Sequence, residues 1–131
     1  MKKIFAIIWV SILPAIGFSQ HEKTPADGAS QLKFIKKPEE AAALAQKDIK
    51  NQTAFLLVQG GFAPVVYAQD KNFEKVYRVR FSDFGCVSPN PKLVKAYNTE
   101  IFKHLTKKFG KKWLAQCRKD VIGLQDYRKT L

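Results

Sequence analysis

Cys86 is the one side chain whose type and setting point to nucleophilic chemistry. It follows Gly85 in a turn-rich stretch running to Pro91, with Arg80 and Asp83 nearby. A thiol nucleophile needs a base within hydrogen-bond reach. The chain has two histidines. His21 falls in a polar leader, and His104 falls on a long basic helix near the edge of its apolar stripe. Cys86 with His104 is thus the catalytic pair the sequence offers, and it lacks a third group to orient the base.

Other chemistries fail on spacing. Cysteines at 86 and 117 and histidines at 21 and 104 form no close pair of the kind that ligates a metal. No cofactor motif stands out. The carboxylates are scattered, so no pair suits a two-carboxylate hydrolase. Gly60-Gly61 follows a β-prone run, but Phe62-Ala63-Pro64 comes next where a phosphate loop needs Gly-Lys-Ser/Thr. Asp83-Phe84-Gly85 spells the kinase magnesium triplet in a chain far too short for a kinase.

The two cysteines admit two structural readings. In an oxidising compartment, Cys86 and Cys117 could close a loop of about 30 residues, worth ~2–4 kcal/mol. Alternatively, both are buried thiols acting as small apolar side chains.

The compartment is set by the amino terminus. Lys2 and Lys3 precede an almost unbroken apolar run, Ile4 to Ile16, and Gly17-Phe18-Ser19 supplies small residues. This is the pattern of a secretory signal, with cleavage expected near Ser19-Gln20. The apolar run is roughly 13–15 residues, where a spanning helix needs about 20. Residues 1–19 therefore read as signal, 20–31 as a flexible leader, and 32–131 as one domain. The mature chain is expected to be soluble and periplasmic or secreted, with no transmembrane span. The look of this signal suggests a bacterium, and the match of Asn51-Gln52-Thr53 to the glycosylation pattern then reads as chance.

The formal charge is +12. Residues 20–90 hold ten Lys/Arg against eight Asp/Glu, a net of +2, whereas residues 91–131 hold eleven against three, a net of +8. Lys103, Lys107, Lys111 and Arg118 are the candidate anion-binding residues. They suit an anionic surface or polymer such as lipopolysaccharide, acidic glycan or nucleic acid. The plainer reading is a solvated helix face.

These features must be placed by a small set of elements. Pro38, Glu39 and Glu40 open a helix through the alanine-rich run to about Lys50. Thr53 to Gln59 reads as a central strand. Phe62 to Tyr67 reads as a second strand forming a hairpin across Gly60-Gly61, with Pro64 at a sheet edge. Asp70 caps a short helix ending at Tyr77, and Val79 to Phe84 is a third strand. Leu93, Tyr97, Ile101, Leu105 and Phe109 mark a long helix from Pro91 to Gly110. Lys111 to about Ile122 forms the last helix, with Trp113, Leu114, Cys117 and Val121 inward. The expected fold is α+β, in the order α-β-β-α-β-α-α, with helices packed on a three- to four-stranded antiparallel or mixed sheet. Aromatic residues fall at core periodicity, although aromatics among lysines also suit single-stranded nucleic acid or carbohydrate.

One resemblance covers about half of the mature chain. Phe73-Glu74-Lys75-x-Tyr77, Asp83-Phe84-Gly85-Cys86, Tyr97-Asn98, Lys108-Phe109-Gly110-Lys111-x-Trp113 and Arg118-Lys119-Asp120-Val121-x-Gly123-Leu124 together resemble an uncharacterised family of small exported proteins of Bacteroidetes-type bacteria. The resemblance implies a periplasmic or secreted place and carries no activity or catalytic residues. Three functional classes follow from the residues: a basic, non-enzymatic binding protein, a thiol-dependent enzyme or redox protein using Cys86, and a structural envelope-associated component.

Overall fold

The computed structural model describes residues 31–131. The expected signal, most of the leader and His21 lie outside the described residues. A single 3-10 turn, Leu32–Phe34, precedes helix α1, Pro38–Lys50. Proline at the first turn and Glu39 and Glu40 behind it start α1 as their chemistry dictates. Strand β1, Phe55–Leu57, is followed by helix α2, Asp70–Tyr77, and strand β2, Arg80–Ser82. Helix α3 spans Pro91–Phe109, with Asn90 accepting the Lys92 N–H at its start. Two short helices end the chain, α4 at Lys112–Gln116 and α5 at Leu124–Arg128.

The expected sheet is not formed. Its place is taken by a two-stranded parallel pair, with Phe55 opposite Arg80, Leu56 opposite Phe81 and Leu57 opposite Ser82. The fold among the described residues is mostly helical. The physical reason lies at Gly60. A Cβ there would sit 2.6 Å from the Gly85 carbonyl oxygen. Gly60 is needed for close passage of two parallel chain ends and not for a hairpin. The run from Phe62 to Tyr67 therefore continues away from β1 and pairs with no strand.

A second correction falls after α4. The helix expected to reach Ile122 stops at Gln116, and Cys117 is extended at φ −76° and ψ 143°. Val121 then forms an isolated antiparallel bridge with Val58. Gly123, at φ +82°, turns the chain into α5 in a conformation that L side chains rarely adopt. α5 lies beyond the last helix expected from the sequence.

The β1 strand is apolar at all three positions and buried at all three. It is covered by α3, against which α1 also packs. Leu56, Leu57, Ile101, Leu105 and Trp113 have no exposed surface. The Phe102 and Trp113 rings stack at 5.6 Å, and the Trp113 Nε1–H donates to Thr106 Oγ1 at 3.1 Å.

A central strand with one strand neighbour leaves backbone polar groups on its other edge. Side chains of α3 satisfy them. The Leu57 N–H donates to Asn98 Oδ1 at 2.9 Å. The Asn98 amide donates to the carbonyls of Leu57 and Ile122 at 2.8 and 2.9 Å. One residue earlier on the helix, the Tyr97 hydroxyl accepts from the Phe55 N–H at 3.3 Å and donates to Asp48 Oδ2 at 2.7 Å. Burial pushes the Asp48 carboxyl above its ordinary value, partly offset by the Tyr97 hydrogen bond. Burial and the same carboxylate push the Tyr97 hydroxyl up.

Asn98 thus fills, with one side chain, a place where a third strand would pair. Asn98→Ala leaves the Leu57 N–H and the Ile122 carbonyl without their partner, and each buried unsatisfied group costs ~1–3 kcal/mol. Urea unfolding of Asn98→Ala is expected to show a loss of about 3 kcal/mol. A loss below about 1 kcal/mol would contradict the role given to Asn98.

Candidate functional site

Because β1 and β2 are parallel, their carboxyl ends open at the same end of the molecule. That is where ligands bind in parallel α/β arrangements. The chain leaves β1 there as an irregular stretch, residues 59–69, in which every residue is exposed. Such exposure is ordinary for polar loops, but this one carries Phe62, Val65, Val66 and Tyr67. Phe62 is fully exposed and Val66 is 73% exposed.

The stretch is held in place by a buried cation. Arg118, on the non-helical segment after α4, is 8% exposed. Its Nη1 donates to the Val65 carbonyl at 2.8 Å and to Asp70 Oδ2 at 3.0 Å. Its Nε and Nη2 donate to the two Asp120 oxygens at 2.9 and 2.6 Å. The guanidinium lies over the Tyr67 ring at 4.7 Å, a cation–π distance. Asp70 Oδ2 also accepts the Tyr67 N–H at 2.9 Å. Two points of the loop, at 65 and 67, are therefore fixed from below.

The electrostatics are self-consistent. The Asp120 hydrogen bond raises the Arg118 pKa above its ordinary value, with burial opposing it. Arg118 holds the Asp120 carboxyl below the usual carboxylate range. A buried guanidinium without such partners would be costly, and the two carboxylates with the Val65 carbonyl supply them.

A cleft of about 700 Å³ lies beside the loop, lined by Gly60, Phe62, Gly85, Cys86, Lys119 and Asp120 among others. Volumes of ~300–1,000 Å³ suit small ligands or a partner's side chains. Among the described residues, no group of three His, Cys, Asp or Glu side chains is placed to hold a metal ion.

The residues picked out by sequence fall as follows. Cys86 is exposed and its thiol is free. Cys117 is buried and free, and burial pushes its thiol up to about 12. The bridge between them is not formed, because they do not lie at disulfide distance. One thiol sits in the loop after β2 and the other faces the core at the end of α4.

His104 does not line the cleft that holds Cys86. Pro91, at the start of α3, does line it, and His104 lies thirteen residues further along that helix, about 20 Å at 1.5 Å per residue. The structure does not bring Cys86 and His104 together. Burial lowers the His104 pKa, with Lys108 and Lys107 adding to the effect.

The candidate anion-binding residues divide. Lys103 and Lys107 are exposed on α3, and Lys103 pairs with Glu100 at 2.7 Å. Lys111 Nζ donates to the Leu131 carbonyl oxygen at 2.8 Å. Arg118 is turned inward into the cluster described above.

Sequence reading missed the clasp of Arg118, Asp70 and Asp120. The usable signal was Arg118-x-Asp120. In a helix residues two apart diverge, whereas outside one the turn at Lys119-Asp120 brings the two side chains together. The expectation of a helix through Ile122 hid that pairing. Asp70 was assigned the helix start, which is where it lies, but its side chain reaches back to Tyr67 and across to Arg118.

The two thiols should differ sharply toward iodoacetamide at neutral pH. Cys86 is expected to be alkylated in the native protein and Cys117 only after unfolding, as read by mass spectrometry of the labelled peptides. Equal labelling of both, or protection of Cys86, would contradict this placement. No protein family, no curated protein and no solved structure matches the chain.

Proposed function

We propose that this is an exported, non-enzymatic binding protein that engages a partner with the apolar loop 61–67 and the adjoining cleft. The observation that carries the reading is the anchoring of that loop. Apolar side chains left in water are unfavourable, and exposed apolar patches on folded proteins mark interaction sites. Here the patch is preorganised, since Arg118 fixes the Val65 carbonyl and underlies the Tyr67 ring. A loop held in its binding conformation loses less entropy when a partner docks.

Export is supported by Lys2 and Lys3, the apolar run behind them and the small residues at 17 and 19. The resemblance to small exported proteins of Bacteroidetes-type bacteria points to the same place. Among the described residues, no helix is long and apolar enough to cross a membrane. The thiol-enzyme reading gains no base beside Cys86. The envelope-component reading uses the same apolar loop and differs in the permanence of the contact. The anionic-partner reading retains support from the exposed lysines of α3, chiefly Lys103 and Lys107.

Capture from the native envelope fraction separates these readings. Phe62→Ser with Val66→Ser changes only exposed side chains and leaves the Arg118 contacts intact. Burial of such a side chain is worth roughly 1.5–3 kcal/mol, so the double variant should bind its partner at least about tenfold more weakly. Reversal at Lys103 and Lys107 should leave that capture unchanged in high salt. Loss of capture with the lysine variant and retention with the loop variant would replace this reading with the anionic one.

A further inference from the structure

A second, smaller recess opens on the other side of the loop, between Val65 and Val66, the first turns of α2 and the end of β2. Its volume is about 270 Å³, just under the ~300–1,000 Å³ of small-ligand pockets and close to one long side chain. Its walls mix apolar surface from Val58, Pro64, Val65, Val66 and Phe81 with three carboxylates, Asp70, Glu74 and Asp83. Lys71 and Arg118 also line it, but Arg118 is already shared between Asp70 and Asp120. With three carboxylates against two cations, its lining carries one net negative charge in a chain of net charge +12.

The three carboxylates follow one pattern. Each gives one oxygen to the fold. Asp70 Oδ2 accepts the Tyr67 N–H and Arg118 Nη1, Glu74 Oε1 accepts the Phe81 N–H at 2.9 Å, and Asp83 Oδ1 accepts the Gly85 N–H at 2.9 Å. Among the described residues, the second oxygen of each makes no hydrogen bond to the protein; those of Glu74 and Asp83 are open to solvent, and that of Asp70 is not. For Asp70 this matters most. Its Oδ1 is buried without any donor, on a residue only 4% exposed. A buried carboxylate oxygen with no donor is unusual in a folded protein and calls for an explanation. The carboxylates do not converge as metal ligands do. Their spread around an apolar-walled recess suits a larger organic cation with several N–H donors and an aliphatic stem.

We propose that this recess receives a cationic side chain, arginine or lysine, of the partner polypeptide that docks on loop 61–67. This rests on the reading of the loop as a docking surface and names the chemistry of what docks. The aliphatic stem lies against Val65, Val66 and Phe81. The guanidinium or ammonium meets the free oxygens of Glu74 and Asp83 at the mouth and sets its charge near the unsatisfied Asp70 Oδ1, while Asp70 keeps its bonds to Tyr67 and Arg118. The long α3 lysines play no part. Specificity comes from this recess, and the bulk of the contact area comes from the apolar loop.

Backbone-amide NMR titration of the full chain tests this with four probes. They are N-acetyl-arginine amide, N-acetyl-lysine amide, N-acetyl-citrulline amide and the apolar peptide acetyl-Leu-Val-Leu amide. The arginine or lysine probe is expected to shift the amides of Asp70, Lys71, Glu74 and Ser82, and the uncharged citrulline probe is not. Glu74→Gln with Asp83→Asn keeps both acceptors for the Phe81 and Gly85 N–H groups, so the fold is retained. That variant should bind the cationic probe roughly tenfold more weakly. Equal shifts from arginine and citrulline, or an unchanged affinity in the double variant, would overturn the proposal. If only the apolar peptide shifts residues 62–67, the cationic recess is wrong and the loop reading stands. If no probe shifts either region, both fail.

Discussion

The arrangement at the strand ends depends on one buried cation. Arg118 sits in the fold with its charge shared between Asp70 and Asp120, its remaining donor on the Val65 carbonyl and its face on an aromatic ring. Its partners come from three parts of the chain. Asp120 belongs to the turn after α4, Asp70 to the start of α2, and Val65 and Tyr67 to the exposed loop. Taking a guanidinium out of water is expensive, and removing one partner from a buried pair costs ~3–5 kcal/mol. That penalty ties the three segments to one geometry. A purely apolar contact between them would allow sliding, whereas a planar fork of donors does not.

Under this cluster lies the β1 strand, which solves a different problem. A parallel pair needs a crossover, and α2 provides it, but a two-stranded sheet leaves the second edge of its buried strand exposed to core. Tyr97 and Asn98 on α3 close that edge with side-chain hydrogen bonds, and the segment around Val121 completes it with an isolated bridge. The same bridge carries Arg118 and Asp120 into position, because the Gln59 N–H donates to the Asp120 carbonyl at 3.0 Å. Core satisfaction and loop anchoring are thus mechanically linked through residues 118–122.

The helices were legible in the sequence where local chemistry is strong. Pro38 with two glutamates, and Pro91 before a four-residue apolar repeat, define α1 and α3 without tertiary information. The sheet was not legible. Phe62 to Tyr67 has strand composition, and its partnerless state follows from Gly60 lying against Gly85, a contact 25 residues apart in sequence. The end of α4 was hidden likewise, since residues 117–122 have helical periodicity in their apolar positions but leave the helix for a turn and an isolated bridge between Val121 and Val58. Cys86 could be singled out as a thiol from sequence, but its distance from Cys117 and His104 is a property of the fold. Arg118 was named from sequence for its charge, and its inward role depends on two aspartates, one of them 48 residues away.

The central claim is that the apolar loop is rigid because Arg118 and Asp70 hold it. The most direct measurement is amide hydrogen exchange at Tyr67, whose N–H donates to Asp70 at 2.9 Å although its residue is exposed. Exposed irregular loops exchange with little protection, while hydrogen-bonded amides in anchored segments exchange slowly. The expected result is clear protection at Tyr67 in the native protein, lost in Arg118→Lys while the Leu57 amide stays protected. A Tyr67 amide that exchanges at the rate of an unstructured chain in the native protein would contradict the claim.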